Sequence, residues 1–475
     1  MVRCCFHRVA LSFAVILFLY FTPMTKIAAS DAVYNTLAQH VLLISLTDSS
    51  VQWQAYLTIL RQGTEAEKLE YIDTIQNEVD RFWADKSVEL QYRNLASNAS
   101  LQNKVFSLEP PVDDYLRVLN HIRRLMWLDN RHEWQPIVPG GFLRPGDSHQ
   151  TISAISQRLW LLGDLSSRSE AQHIYDDTIA NAVVSFQQRH GLKADAVIGP
   201  NTLHWLNQTP KQRAILLASN FVAKTSYQHQ LSERYLLVNI PAFEMVLVND
   251  SQIAMTSRVI VGKAYRRTPV MSGQISNVVI NPTWTVPKKL LRRDILPKVA
   301  KDGDYFRDRQ FDVFDRAGIK IDKTADEWQM AATAAFPYRL VQRPGEINAL
   351  GRYKFHFKND LNIYLHDTPD KWLFNKANRA LSSGCIRIEK VQQLAEWFAD
   401  NVVIDKRTWA RMQSNQKNTQ WFSLSQTIPV HIVYWNAWVG EDNLAQYRND
   451  IYHLNNTDKT VVANNATSPL QLTSR

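Results

Sequence analysis

The sequence is poor in cysteine: Cys4, Cys5 and Cys385 are the only three in 475 residues. The first two lie in a segment that opens with Arg3 and Arg8 and continues as an uncharged apolar run from Val9 to Phe21. That run is too short for the ~20 residues of a transmembrane helix and suits a secretory leader. Ala28-Ala29-Ser30 reads as its cleavage site, making residues 1–30 a signal peptide, with an uncleaved anchor as the competing reading. No cysteine follows the run, which argues against a lipoprotein. After cleavage one thiol remains, so no internal disulfide can form, and a lone exported cysteine is either an intermolecular partner or a reactive group.

Other absences narrow the chemistry. His356, His366 and His431 lack cysteine or carboxylate partners at ligand spacing, so neither a metal nor another cofactor is expected. No glycine-rich loop or basic-aromatic signature accompanies the formal charge of +9, which makes nucleic acid a poor partner. A mildly basic exported chain suits an anionic polymer such as a cell wall. No lysine stands three residues after Ser382 or Ser383, which sets aside a serine nucleophile.

What is present divides the chain. Residues 31–140 read as a helical scaffold, with Tyr115, Leu116, Leu119, Ile122 and Met126 in one apolar stripe. Pro136, Pro139-Gly140-Gly141 and Pro145-Gly146 mark a boundary. Three short helices follow over 141–210, carrying Ile152, Ile155, Leu159 and Leu162, then Ile179, Ala182, Val183 and Phe186, then Leu203 and Leu206 behind Gly199-Pro200. Residues 211–454 turn β-rich, with Leu236, Val238 and Ile240 alternating. A charged, proline-bearing stretch at about 285–345 is too long for a connection and reads as a subdomain or lid. The Asn-, Thr- and Ser-rich tail over 455–475 reads as disordered.

The chemistry concentrates around Cys385. Tyr353, Phe355 and Phe357 alternate with Lys354 and His356, Asn359-Asp360 supplies a turn, and Asn362 to His366 alternates again. Tyr364 and His366 are therefore expected on one face. A thiol is only a few per cent thiolate at neutral pH and needs a base or positive potential beside it, for which His366 and Arg387 are candidates. Gly384 permits a tight turn that could aim backbone amides at an oxyanion. A buried, inert cysteine is the competing reading. An amphipathic helix with Val391, Leu394, Ala395 and Phe398 on one side should brace the cysteine from behind.

His366-Asp367-Thr368-Pro369 and Ser382-Ser383-Gly384-Cys385-Ile386-Arg387 resemble the active-site signature of the YkuD-type L,D-transpeptidases, most closely the large YcbB-type members. Arg266-Arg267-Thr268-Pro269 and Asn281-Pro282-Thr283-Trp284 are similar to the same group. The run from Phe186 to Leu192 and Val197-Ile198-Gly199-Pro200 resemble the peptidoglycan-binding helical module. The resemblance implies a multidomain α+β chain: a mostly β catalytic domain with a capping insertion, a helical scaffold and a three-helix peptidoglycan-binding-like domain. It implies Cys385 as nucleophile, His366 as general base, Gly384, Asp367 and Ser383 in oxyanion or supporting roles, and Tyr364, Arg387 and Trp284 on the substrate side. Many relatives carry a histidine where this chain has Ser383. Peptidoglycan is the implied partner, carbapenem-type β-lactams the implied acylating inhibitors, and the periplasm of a Gram-negative-type envelope the implied location. An L,D-carboxypeptidase and a non-catalytic wall-binding protein stay open.

Overall fold

The computed structural model describes residues 31–167 and 173–454, so the signal-peptide segment and the 455–475 tail lie outside the described residues. These residues form two compact units, one of 31–189, 196–230 and 437–447, the other of 190–195, 231–436 and 448–454. No described helix is long and apolar enough to cross a membrane.

The first unit is helical. Glu65–Ala84 starts with a capping box in which Thr64 and Glu67 exchange hydrogen bonds, satisfying donors the first turn would leave open. Tyr115–Arg131 buries Tyr115, Val118, Leu119, Ile122, Leu125 and Leu128. The expected stripe is rotated: at about 100° per residue the line through Leu119 and Ile122 takes in Val118 and Leu125, leaving Leu116 exposed and Met126 half-buried. Three helices, Ile152–Leu162, Asp177–Arg189 and Pro200–Asn207, enclose Ile155, Leu159, Val183, Phe186 and Leu206. Trp205 takes the buried place expected of Leu203. Helix Pro210–Tyr227 and residues 437–447, assigned from sequence to the catalytic domain, fold with this unit instead. Lys224 pairs with Asp114 at 2.7 Å, and Arg117 donates to the Gly440 carbonyl at 3.3 Å.

The second unit is built on strands β1 (Tyr235–Asn239), β2 (Glu244–Asn249), β3 (Gln252–Gly262) and β4 (Met271–Ile280). An insertion follows with its own four strands, β5 (Trp284–Thr285), β6 (Phe311–Phe314), β7 (Lys320–Ile321) and β8 (Arg339–Gln342), ordered β5-β8-β6-β7. The chain then returns through β9 (Tyr353–Phe357), β10 (Leu365–His366), β11 (Ala380–Ser382), β12 (Ile386–Ile388) and β13 (Gln420–Val433). The main sheet runs β11-β3-β12-β10-β9-β4-β13-β1-β2, and pairing of β2 with β3 closes it, leaving few edges to protect. Leu236, Val238, Val278, Phe355, Phe357, Leu365, Ile386 and Ile388 point inward, where helix Val391–Asn401 adds Val391, Leu394, Ala395 and Phe398. The Phe355 and Phe398 rings sit 5.2 Å apart, so this helix fixes the strands that carry the site.

The insertion has a separate core of Val286, Leu291, Ile295, Leu296, Val299, Phe306, Phe311, Val313, Trp328 and Leu340. Its first helical stretch contains a π turn, Leu291–Ile295, closed by the Leu296 amide on the Leu291 carbonyl. Pro297 explains the widening, because its ring would meet the carbonyl of residue 293 in a regular helix.

Candidate active site

β10 and β12 run parallel, pairing Leu365 with Ile386 and His366 with Arg387. The apolar members of both strands are buried in the core, so strand alternation turns Tyr364, His366, Cys385 and Arg387 to the opposite face. β9 pairs with β10 antiparallel and sets Lys354 across from His366 on that face. These side chains, scattered over about thirty positions of sequence, form one polar face because the register brings them together.

The cysteine turn is held from three sides. Gly384 has φ +121°, a conformation that L side chains rarely adopt. Ser382 Oγ accepts the Gly384 N–H at 3.1 Å and donates to the Cys385 carbonyl at 2.6 Å. Thr268 Oγ1 donates to the Gly384 carbonyl at 2.8 Å and accepts the Gly262 N–H at 2.9 Å. Tyr452 closes the circuit, its hydroxyl donating to the Gly262 carbonyl at 2.6 Å and accepting the Thr268 N–H at 3.1 Å. Finally, Arg266 donates to Ser383 Oγ at 2.6 Å while pairing with both oxygens of Asp294, at 2.7 and 3.0 Å. Asp294 belongs to the π turn, so one guanidinium ties the insertion to the cysteine turn.

Three expected roles change in this geometry. The Gly384 amide is engaged by Ser382, so its contribution is the backbone conformation rather than a free oxyanion donor; among the described bonds none uses the Cys385 amide. The Asp367 carboxylate does not bond His366. It accepts the Arg352 and Thr368 amides at 2.9 and 2.7 Å and pairs with Lys371, and Gly351 makes room for it, since a Cβ there would lie 2.4 Å from the carboxyl. Asp367 thus pins the strand that carries His366. Trp284 packs in the insertion, 6.2 Å from the Phe311 ring, and no described contact brings it to Cys385.

Burial sets the charge states. His366 is 5% exposed, and desolvation, helped by the Arg387 charge, pulls its imidazole down to about 3. The backbone carbonyls of Asp367 and Leu350 lie close enough to oppose this, but neither closes an ordinary hydrogen bond on Nδ1. Desolvation likewise raises the Cys385 thiol, against hydrogen bonds from Tyr364 and the charges of Lys354 and Arg387. Sγ rests 3.6 Å from the Asn362 carbonyl, and among the described bonds none joins it to His366. The resting pair is therefore a neutral thiol and a neutral imidazole, with proton transfer coupled to attack rather than completed beforehand. Arg387 is half-buried, and desolvation lowers its pKa; its Nε has no partner, and it pairs with Asp370 at 3.7 Å.

The depressed His366 pKa has a consequence for stability. Between the unfolded value near 6.5 and about 3, the unfolded chain binds a proton that the folded chain refuses, so stability falls as pH drops through this range. At pH 5 the loss is about 2 kcal/mol. A melt of the wild-type chain should show the second unit's transition moving down between pH 7 and pH 5, and His366→Gln should flatten that dependence. An unchanged slope in the variant would contradict a neutral buried imidazole.

No site role was read from sequence for Lys354, Arg266, Thr268, Asp294 or Tyr452, although Arg266 and Thr268 lie in a motif shared with the resembled family. Alternation already placed Lys354 opposite Phe355, but only the β9–β10 register shows that it faces His366. The other four depend on contacts across long stretches of chain.

Residues 233–418 match the model of the family described as L,D-transpeptidase catalytic domain (YkuD), and residues 148–206 match "Putative peptidoglycan binding domain". A curated relative from Haemophilus influenzae, "Putative L,D-transpeptidase", is 38% identical over 221 residues, covering 46% of this chain and 44% of that protein. The matched stretch thus spans less than half the length of the relative. Among solved structures, an L,D-transpeptidase from Stackebrandtia nassauensis is 13% identical, covering 62% of this chain and 97% of that one with a TM-score of 0.23. Another, from Xylanimonas cellulosilytica, is 14% identical over 63% and 100% of the two chains, with a TM-score of 0.20. The stretch that holds Cys385 and His366 thus matches a YkuD L,D-transpeptidase catalytic domain, and the three-helix module a peptidoglycan-binding domain.

Proposed function

We propose that this chain is a cysteine-dependent L,D-transpeptidase that cross-links peptidoglycan stem peptides. The observation that carries the reading is the single sheet face shared by Cys385, His366, Tyr364 and Arg387, with the thiol on a turn fixed by Ser382, Thr268 and Arg266. The Cys385 sulfur attacks the carbonyl at the L-centre of a tetrapeptide stem while His366 takes the thiol proton. The Cys385 amide faces the developing oxyanion, and the terminal D-amino acid leaves with a proton returned from His366. A side-chain amine of a second stem then attacks the thioester, His366 accepting its proton, and the thiol is released. Arg387, with an unused Nε, holds a substrate carboxylate.

The insertion, tied to Ser383 through Arg266, acts as a cap that limits water, since a thioester met by water gives tripeptide and one met by an amine gives a cross-link. The 148–206 module binds the wall polymer. Such a substrate lies outside the cytoplasm, and the resemblance to the large YcbB-type members favours the periplasm of a Gram-negative-type envelope. Carbapenem-type β-lactams should acylate Cys385.

The test is mass spectrometry of the products formed from disaccharide-tetrapeptide by purified residues 31–475. A cross-linked dimer is the expected product. Tripeptide without dimer would replace transfer by carboxypeptidase action, and unchanged substrate with folded protein would sink the enzymatic reading.

A further inference from the structure

The main-sheet register extends the active face well beyond the thiol. Arg387 pairs with His366, His366 with Lys354, Lys354 with Val279 and Val279 with Trp421, so these five side chains form one row across β12, β10, β9, β4 and β13. Four strand spacings of about 4.8 Å separate its ends, roughly 19 Å. At the centre of the row stands Lys354. Its Nζ lies 4.1 Å from the Tyr364 ring centre and 5.7 Å from that of Trp421. His356 closes the far side, 5.6 Å from the Trp421 ring, with its own Nδ1 buried and without a hydrogen-bond partner.

Two features of this lysine call for a ligand. Among the described residues no carboxylate pairs with it, whereas Arg387 on the same face has Asp370. Burial also works against its charge and lowers its pKa, so the ammonium is held at a cost that an arriving anion would remove. The aromatic walls partly offset that cost through their ring faces and keep the surroundings low in dielectric, which strengthens any pairing there. Trp421 remains 52% exposed although it lies beside the site, leaving a flat apolar surface for a bound chain to cover.

We propose that Lys354, between the Tyr364 and Trp421 rings, is a carboxylate-binding subsite for the peptide substrate, with Trp421 covering the bound chain. This rests on the peptidoglycan reading above and deepens it. The strand of Lys354 is two spacings from that of Cys385, about 10 Å, and an extended peptide advances ~3.3–3.6 Å per residue. The carboxylate taken here is one of the internal carboxylates of the stem, which stay with the acyl group when the terminal D-amino acid leaves. Arg387 and Lys354 would thus read two carboxylates of one stem, fixing its direction along the sheet face.

The experiment is a binding cycle on the full chain carrying Cys385→Ala, which avoids turnover. Calorimetry compares disaccharide-tetrapeptide with the same peptide amidated at its internal carboxylates, its terminal carboxylate kept, each against Lys354 and Lys354→Met. Amidation should weaken binding about tenfold or more with lysine present and have no further effect with methionine, the signature of a direct pairing. Lys354→Arg should stay within a few-fold of lysine, and Trp421→Ala, at an exposed position, should weaken binding of both peptides. Equal losses on amidation with lysine and with methionine would overturn the subsite while leaving the proposed reaction intact. Failure of every peptide to bind, together with an unproductive wild-type chain, would overturn both.

Discussion

Cys385→Ser should abolish both cross-linked dimer and tripeptide, a fall of at least about 10⁴ in turnover, while leaving the fold and peptide binding in place. The argument concerns acidity more than size. A thiol raised by burial is still far easier to deprotonate than an alcohol, and His366, pulled down to about 3, is a weak base. Tyr364, Lys354 and Arg387 favour a thiolate by hydrogen bond and charge, and this help is sufficient for sulfur only. A carbapenem should likewise leave a mass adduct on the wild-type chain and none on the variant. Substantial product from Cys385→Ser would remove Cys385 from the role of nucleophile.

Gly262→Ala should be nearly as damaging by a different route. A Cβ at Gly262 would lie 2.1 Å from the Arg266 carbonyl oxygen, 2.7 Å from the Thr268 nitrogen and 2.9 Å from the Arg267 carbonyl carbon. All three are backbone atoms, so no side chain can swing aside. The loop must move, and with it go the Thr268 bond to the Gly384 carbonyl and the Arg266 bond to Ser383. The expectation is roughly 3 kcal/mol or more of lost stability, with turnover reduced at least about a hundredfold even below the melting temperature. Thermal melts alongside product assays check it. Gly273→Ala provides the contrast, since its obstacle is the Phe357 side chain, 2.6 Å from the added carbon, rather than main chain. A Gly262→Ala chain that melted and turned over like wild type would show that the loop does not set the cysteine turn.

The readable parts of this protein were those governed by short-range pattern. Alternation of Tyr353, Phe355 and Phe357, and of Ile363 and Leu365, is local, and it gave two strands and the face of Tyr364 and His366. The apolar spacing of Val391, Leu394, Ala395 and Phe398 similarly gave the helix behind the cysteine. Where several phases fit the same residues, as in Tyr115–Arg131, packing against neighbours decided the buried side. Asp367 shows another limit: the resemblance implied an oxyanion or supporting role for it, yet a strand turns successive side chains to opposite faces, and the carboxylate is taken by the Arg352 turn. Lys354 needed the register between strands, and Arg266, Asp294 and Tyr452 needed tertiary closure.

Tyr452 makes the reactive centre a late event in the life of the chain. Thiol and imidazole are both synthesised well before it, but the Gly262 and Thr268 contacts that set the Gly384 carbonyl wait for a hydroxyl supplied by the end of the described fold. A growing chain consequently holds every reacting atom while lacking the clamp that orders them. The arrival of Tyr452, rather than the making of the nucleophile, is the step that closes the hydrogen-bonded circuit behind the cysteine turn.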